Sequence, residues 1–505
     1  MPLIKLDIPA GVYSHGTPLD SKGRWIDASL VRWTNNAPQP IGGWLPLSDG
    51  SSSVQLSTAS YGVPRGAHAW ISNSGAPYMA VGTYNSVHIL DGNGNITNIT
   101  PSGITVGLAE ASENFGYGGG NYGQGLYGVP RQSDGVLSAA TNWRLDNWGQ
   151  NLVGCSDADG RLYELDLATF ITTPTTNMAA IANSPSANKS LVVTAERFIF
   201  ALGASGNPRL VQWCDKENNT EWTPSITNEA GDLELQTTGE IVCAERVRGR
   251  TLILTTEDAW VAAYQGPPIV YGFQKIGTSC GVVGRNMSSA VGPTAFWMGE
   301  KDFFYYDGST ARVLPCEVHD KVFTEMNADR ISHGFCLANQ QFSEVWWFYP
   351  GDGSNENNRY VVYDYNENHW TVGEIDRCCG VDKGAFNEPL WVAPNGIFYR
   401  QETGYAHGGS SPYVESGPIN IQDGENVVRV IELIPEEETQ GQMQVSFKTS
   451  FYPNGAEYTH GPYDPSNPTA VRFTGRQFKM TVTADDGANW RFGDIRLRIN
   501  SGGQR

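Results

Sequence analysis

The sequence predicts an all-β chain whose middle part is a β-propeller. Three observations predict it. Glycine is abundant, at 58 of 505 residues, and Trp, Tyr and Phe number 15, 22 and 19, while only 17% of residues are charged. This composition suits strands joined by tight turns and argues against helical bundles, which need Ala, Glu, Lys and Leu. Short β-branched and aromatic runs alternate with Gly/Asp/Asn turns from about residue 66 to about residue 400, the signature of strands and hairpins. Those runs also recur at a blade-sized interval.

Taken in order, residues 1–60 are Pro- and Gly-punctuated and carry Trp25, Trp33 and Trp44. They read as an extended arm that packs onto something else. Strand runs follow at 77–83 and 87–90, closed by Asp91-Gly92-Asn93-Gly94. Runs 152–155 and 162–165 flank Asp157-Ala158-Asp159-Gly160. Triples occupy 191–194, 198–202 and 210–213, then 241–244, 252–255 and 260–264. Pairs follow at 295–298 and 303–306, at 344–349 and 360–365, and at 390–393 and 397–399. Leu162, Leu210, Trp260, Phe303, Tyr360 and Ile397 mark the outer strands of successive units, at spacings of 48, 50, 43, 57 and 37 residues. Units of roughly 40–50 residues with three or four strands match a propeller blade. Seven units can be drawn, six to eight blades fit, and a pair of β-sandwiches is the alternative.

The domain reading is therefore an arm at 1–60, a propeller at 61–408 and a C-terminal β-sandwich at 409–505. The sandwich expectation rests on longer alternating segments at 427–434, 443–450, 470–473, 478–482 and 495–499. A Gly/Tyr-rich insertion at 105–143 interrupts the propeller, and its glycine content excludes regular structure at 113–128. Tyr117, Tyr122 and Tyr127 stand in it as candidate subunit contacts, since Tyr with Gly suits adaptable interfaces.

The formal net charge is −19 and the pI is about 4.8. Such a surface opposes tight DNA wrapping, which needs Lys and Arg against phosphates, but leaves a sliding duplex unhindered. The eight cysteines include no Cys-x-x-Cys pair, and several sit in apolar runs. They read as free buried thiols of a reducing compartment. The N-terminus lacks a basic segment followed by an apolar run, and no stretch of about 18 apolar residues occurs. The expectation is synthesis and folding in a cytoplasm, with no membrane-spanning segment.

Catalytic motifs are scarce. No phosphate loop or His-Glu-x-x-His occurs. Gly277-Thr278-Ser279-Cys280-Gly281 matches Gly-x-Ser-x-Gly but precedes strand or turn residues, where a nucleophile elbow needs a helix. Gly-x-Gly-x-x-Gly occurs at 118–123 and 123–128 outside any strand-to-helix context. The calcium-like starts Asp91-x-Asn93-x-Asn95 and Asp157-x-Asp159 lack the later Gly and Glu. Cys316, His319, His333 and Cys336 have zinc-like spacing, set against a reading as buried thiols and structural histidines. Thr483-Ala484-Asp485-Asp486-Gly487-Ala488-Asn489-Trp490 approximates an Asp-box turn, itself a structural feature. The expectation is no catalytic residue, no cofactor and no metal.

Several segments resemble, in order, the tail hub or nozzle proteins of short-tailed bacteriophages, also described as packaged-DNA stabilisation proteins. They begin with Lys22-Gly23-Arg24-Trp25-Ile26-Asp27-Ala28-Ser29-Leu30-Val31-Arg32-Trp33 and Ile41-Gly42-Gly43-Trp44. Asn98-Ile99-Thr100-Pro101, the Gly/Tyr loop, Leu145-Asp146-Asn147-Trp148-Gly149 and Leu314-Pro315-Cys316 continue the series. Gly475-Arg476-Gln477 and Trp490-Arg491-Phe492-Gly493-Asp494-Ile495-Arg496-Leu497 end it. The resemblance implies a virion protein without catalytic residues, a homohexamer below the portal and its adaptor. Such a ring extends the channel for genomic DNA, retains packaged DNA without specific binding, and supports fibres or a needle. The alternatives are a carbohydrate-binding or depolymerising propeller and a host scaffold propeller. The scaffold is disfavoured by the separate C-terminal segment and by missing Trp-Asp or Kelch repeats.

Overall fold

A computed structural model describes residues 3–17, 20–113, 137–420, 427–453 and 455–501. Tyr117, Tyr122 and Tyr127 lie outside the described residues. The middle of the chain forms seven four-stranded antiparallel sheets, here blades 1 to 7. Each is a meander, so consecutive runs pair through short turns. Blade 1 holds Ala67–Ile71, Pro77–Gly82, Val87–Asp91 and Ile96–Asn98. Blade 2 spans residues 143–180, blade 3 residues 190–234, blade 4 residues 241–278, blade 5 residues 288–314 and blade 6 residues 335–374.

Blade 7 is composite. Cys379–Val381, Leu390–Val392 and Phe398–Arg400 come from the end of the ring, and its fourth strand is Leu45–Pro46 from the N-terminal arm. Tyr399 pairs with Pro46 and Arg400 with Leu45. The first strands of the blades touch in the order 1-2-3-4-5-6-7-1, which closes the ring. The buried side chains follow the same order. One cluster fills the space between blades 1 and 2, others lie between 2 and 3, between 3 and 4, between 6 and 7, and between 7 and 1. A larger one runs from blade 4 to blade 6 and on into the C-terminal sheets.

This stacking explains the sequence pattern. A blade buried on both faces wants apolar side chains in both directions, so its strands read as unbroken apolar runs. Glu344–Tyr349 is buried at every position. The fourth strands face outward and lose that pattern: Gly231–Glu234 and Ala311–Leu314 are mostly exposed. Here one expectation is corrected. Leu162, Leu210, Trp260, Phe303 and Tyr360 lie in the third strands of their blades, and Ile397 immediately precedes one. Several outermost strands, such as Ala179–Ala180 and Gly231–Glu234, are short and exposed, so no apolar run announces them.

The arm packs onto its own chain. Leu3–Leu6 pairs with Ile495–Ser501, Trp25–Ser29 pairs with Tyr413–Ser416, and Val31–Thr34 pairs with Ala37–Pro40. Two C-terminal sheets result. One has the order Leu3–Leu6, Ile495–Ser501, Val428–Pro435, Thr469–Gly475. The other has the order Trp25–Ser29, Tyr413–Ser416, Gln477–Thr483, Gln444–Ser450, Tyr458–Tyr463. The sheets share a core, in which the Phe473 ring lies 4.7 Å from Phe447 and 5.5 Å from Phe478. No helix among the described residues is long and apolar enough to cross a membrane.

Candidate functional site

Stacking seven blades leaves a central channel lined by the first strands, and an open pocket of about 360 Å³ lies there against blades 1, 2, 4, 5, 6 and 7. Facing it are His68, Arg144, Glu245 and Ser288 of the first strands, with Gln340 and Asp382 just past the ends of two others. Most of the charge is paired across blades. Arg144 of blade 2 donates to Glu245 Oε1 and to the Ala244 carbonyl of blade 4, each at 2.8 Å. Ser288 Oγ of blade 5 donates to the same Glu245 oxygen at 2.8 Å. Arg246 donates to Asp146 Oδ1 at 3.0 Å, and the Val193 amide of blade 3 donates to Asp146 Oδ2 at 2.9 Å. His68 Nε2 of blade 1 sits 3.0 Å from Asn147 Oδ1.

Burial works against the Arg144 charge, but the attraction of Glu245 outweighs it and holds the pKa above the ordinary arginine value. Burial pushes His68 down, against the pull of Asp146, so its ring favours the neutral form. Ser288 and Arg144 donate to the same oxygen of Glu245, so the hydroxyl shares its carboxylate with a guanidinium. The arrangement ties five inner strands together and suits mechanical closure of the ring.

A second cavity, of about 400 Å³, lies between blades 5 and 6 and is lined by Phe296, Tyr305, Tyr363, Tyr365 and Asn368. Phe296 and Tyr365 stack at 6.1 Å, and Tyr363 donates its hydroxyl to Asn368 Oδ1 at 2.7 Å. Flat rings beside an amide suit stacking against a planar or sugar face.

The sequence-singled residues separate. Cys316, His319, His333 and Cys336 do not converge. Cys336 lines the channel, and burial raises its thiol well above the ordinary value. His333 Nδ1 donates to the Asn355 carbonyl at 2.7 Å, and burial lowers its pKa to about 4. Beside it, Arg65 forks onto Glu356 at 2.6 and 3.1 Å and reaches Glu110 at 3.4 Å, so a guanidinium already compensates those carboxylates. His319 instead faces His15 and Asp320. Zinc-like spacing along the chain misleads because a 3-10 turn over Ala328–His333 precedes the strand that carries Cys336.

The other motifs are structural. Ser279 is exposed at the end of blade 4 and no helix follows it. Asp91 Oδ1 accepts the amides of Asn93 and Asn95, each at 2.9 Å, and so shapes a hairpin turn. Asp159 accepts from Thr105, Arg161 and Tyr163. Burial opposes its charge, but these bonds outweigh it and hold the carboxyl at about 2. Within the Asp-box-like turn, Asp486 accepts the amides of His407 and Gly409, fastening the C-terminal sheets to the end of the ring.

Sequence reasoning missed one buried constellation. Arg32 of the arm forks onto Glu344 of blade 6 with both bonds at 2.9 Å and reaches Glu402 at 2.6 and 2.9 Å. Asn339 donates to Glu402 at 2.9 Å, and Trp346 Nε1 donates to Glu344 at 2.9 Å. The partners are 312 and 370 residues from Arg32 in the chain, so no local pattern links them.

No family model matches the chain. No curated protein matches it. Among solved structures it is similar to virginiamycin B lyase from Staphylococcus aureus at 8% identity and a TM-score of 0.39, over 67% of this chain and 94% of that one. It is also similar to the Pan2 WD40 domain of Neurospora crassa at 7% identity and a TM-score of 0.37, over 74% and 99% of the two chains. Regucalcin from Agrobacterium tumefaciens is similar at 11% identity and a TM-score of 0.32, over 72% and 93%. These likenesses carry nothing about activity; the propeller architecture stands on the chain's own closed ring of sheets.

Proposed function

We propose that this chain is a structural, non-enzymatic nozzle or hub protein of a short-tailed phage tail. About six copies form a ring below the portal and its adaptor. The ring extends the DNA channel, retains packaged DNA and supports fibres or a needle. The C-terminal pair of sheets acts as a β-sandwich strapped on by the arm.

The observation that carries this reading is the ordered series of segments shared with that family. Its first and last members share one joint of the subunit. Trp25, Trp33 and Trp490 are buried, the Phe492 amide donates to the Pro38 carbonyl at 3.0 Å, and Arg491 donates to the Thr34 carbonyl at 3.2 Å. A subunit so stitched suits a load-bearing ring.

DNA runs between copies in this reading and not through the propeller. Side chains of blades 2, 4 and 5 meet across the central channel, Arg144 and Ser288 each donating to Glu245 at 2.8 Å, which leaves no passage for a duplex. The net charge of −19 keeps a duplex mobile by like-charge repulsion, screened beyond about 10 Å at 0.1 M salt. The test is co-expression with a short-tailed phage portal and adaptor, followed by electron microscopy. A ring of about six copies is expected. A monomer both alone and with those partners sinks the reading.

The aromatic cleft between blades 5 and 6 favours a second reading, a carbohydrate-binding propeller. That reading expects polysaccharide binding that Tyr365→Ala abolishes. A chain that binds and cleaves no polysaccharide removes it.

A further inference from the structure

We propose that His15, His319 and Asp320 form a binding site for a divalent transition ion, zinc foremost, that staples the N-terminal arm to the ring. His319 and Asp320 open the short helix His319–Glu325 between blades 5 and 6. His15 arrives on the arm, held there because the Ser14 amide donates to the Glu317 carbonyl at 2.7 Å. The Gly16 amide donates to Asp320 Oδ2 at 2.8 Å, which turns Oδ1 toward the two rings.

The geometry selects a cation. His319 Nε2 lies 2.6 Å from the Lys301 carbonyl, so that nitrogen carries the proton. The other ring nitrogen, Nδ1, faces Asp320 Oδ1 at 3.1 Å. His15 Nδ1 faces the same oxygen at 3.2 Å. Each nitrogen can exchange its proton for a metal ion, and the carboxylate oxygen that both face supplies the third ligand. An ion with nitrogen and oxygen ligands at about 2.0–2.2 Å in tetrahedral array sets them about 3.3 Å apart, close to both separations. A histidine donating its remote N–H to a backbone carbonyl is also the usual support of a ligating imidazole.

The three ligand atoms lie within 4.8 Å of one another. His15 and Asp320 are about half exposed, so water is at hand to complete the coordination. The donor set of two imidazoles and one carboxylate suits Zn²⁺ and Co²⁺ better than Ca²⁺ or Mg²⁺, which prefer all-oxygen cages. The cluster at Glu110, His333 and Glu356 is the weaker candidate, because Arg65 already supplies the positive charge there.

The test uses the untagged full chain, stripped with EDTA, titrated with Zn²⁺ by calorimetry and with Co²⁺ by visible absorption. One equivalent is expected to bind saturably, with Co²⁺ giving the ligand-field bands of a four- or five-coordinate ion. His15→Ala and His319→Gln are each expected to weaken binding at least tenfold. Both should keep the wild-type circular dichroism and thermal midpoint in EDTA. If His319→Gln fails to fold, the exposed His15→Ala decides alone. Absence of saturable binding overturns the proposal. So does one-equivalent binding that His15→Ala leaves unchanged, which moves the ion to another cluster.

Discussion

Arg32 is 7% exposed at its side chain and faces two carboxylates that are equally buried. Burial opposes its charge, but Glu344 and Glu402 together outweigh that and hold its pKa above the ordinary arginine value. Removing one member of a buried charge network strands the rest, which costs about 3–5 kcal/mol. Arg32→Met is therefore expected to lower the unfolding free energy from urea titration by an amount in that range, with Arg32→Lys recovering only part because an ammonium lacks the planar fork. A loss under about 1 kcal/mol would show that water or rearrangement rescues the carboxylates. His88 of blade 1 supplies a pH signature. It is 2% exposed, its Nε2 meets Ser86 Oγ at 3.0 Å, and burial lowers its pKa from 6.5 to about 4. The unfolded chain then binds more protons than the folded one between pH 6.5 and about 4, so stability falls as pH falls through that window. His88→Asn is expected to flatten the slope of unfolding free energy against pH between 6.5 and 4, measured by denaturant titration. An unchanged slope would assign the acid sensitivity to other groups.

Elements closed by distant chain carry a different kind of vulnerability. Leu45–Pro46 contributes two residue pairs to blade 7, and the Leu47 and Leu56 amides add bonds from the arm to Phe398 and Gly396. Beside it, Gly396 adopts φ +84°, and a side chain there would put its first carbon 2.1 Å from the Leu56 carbonyl oxygen. Both the left-handed backbone and the close approach require glycine, so Gly396→Ala is expected to cost about 1–3 kcal/mol, visible as a lower thermal midpoint. Removing residues 1–47 exposes the edge of blade 7 and deletes the buried Trp25 and Trp33. An open edge templates further pairing, so the truncated chain is expected to lose its sharp thermal transition and to aggregate on size-exclusion chromatography. A soluble monomer with the full-length midpoint would show that the ring closes without the arm. Third strands were legible because they are apolar, whereas fourth strands such as Gly231–Glu234 were not, because exposure removes selection for apolar residues.

At the scale of the molecule, three quantities bear on the nozzle reading: the net charge, the size of the central channel and the stitching of the arm. A subunit whose own channel is too small for a duplex can guide DNA only as part of a ring of copies. Assembly with portal and adaptor is thus the decisive measurement, and its salt dependence is informative. Raising salt from 0.1 to 0.5 M is expected to leave such a ring intact if its contacts are apolar and to dissolve it if they are ion pairs.

The amino-acid order alone determined the all-β character, the rhythm of strands and turns, and the sites of most second and third strands. Those properties are written locally, in the alternation of aromatic runs with Gly, Asp and Asn. Tertiary structure alone decided that the blades number seven, that the arm supplies the last strand, and that Arg32 meets Glu344 and Glu402. It also left Cys316, His319, His333 and Cys336 without a common ligand group among the described residues and brought His319 to His15. Pairings between residues some 300 positions apart depend on how the whole ring closes, and no local spacing encodes that closure.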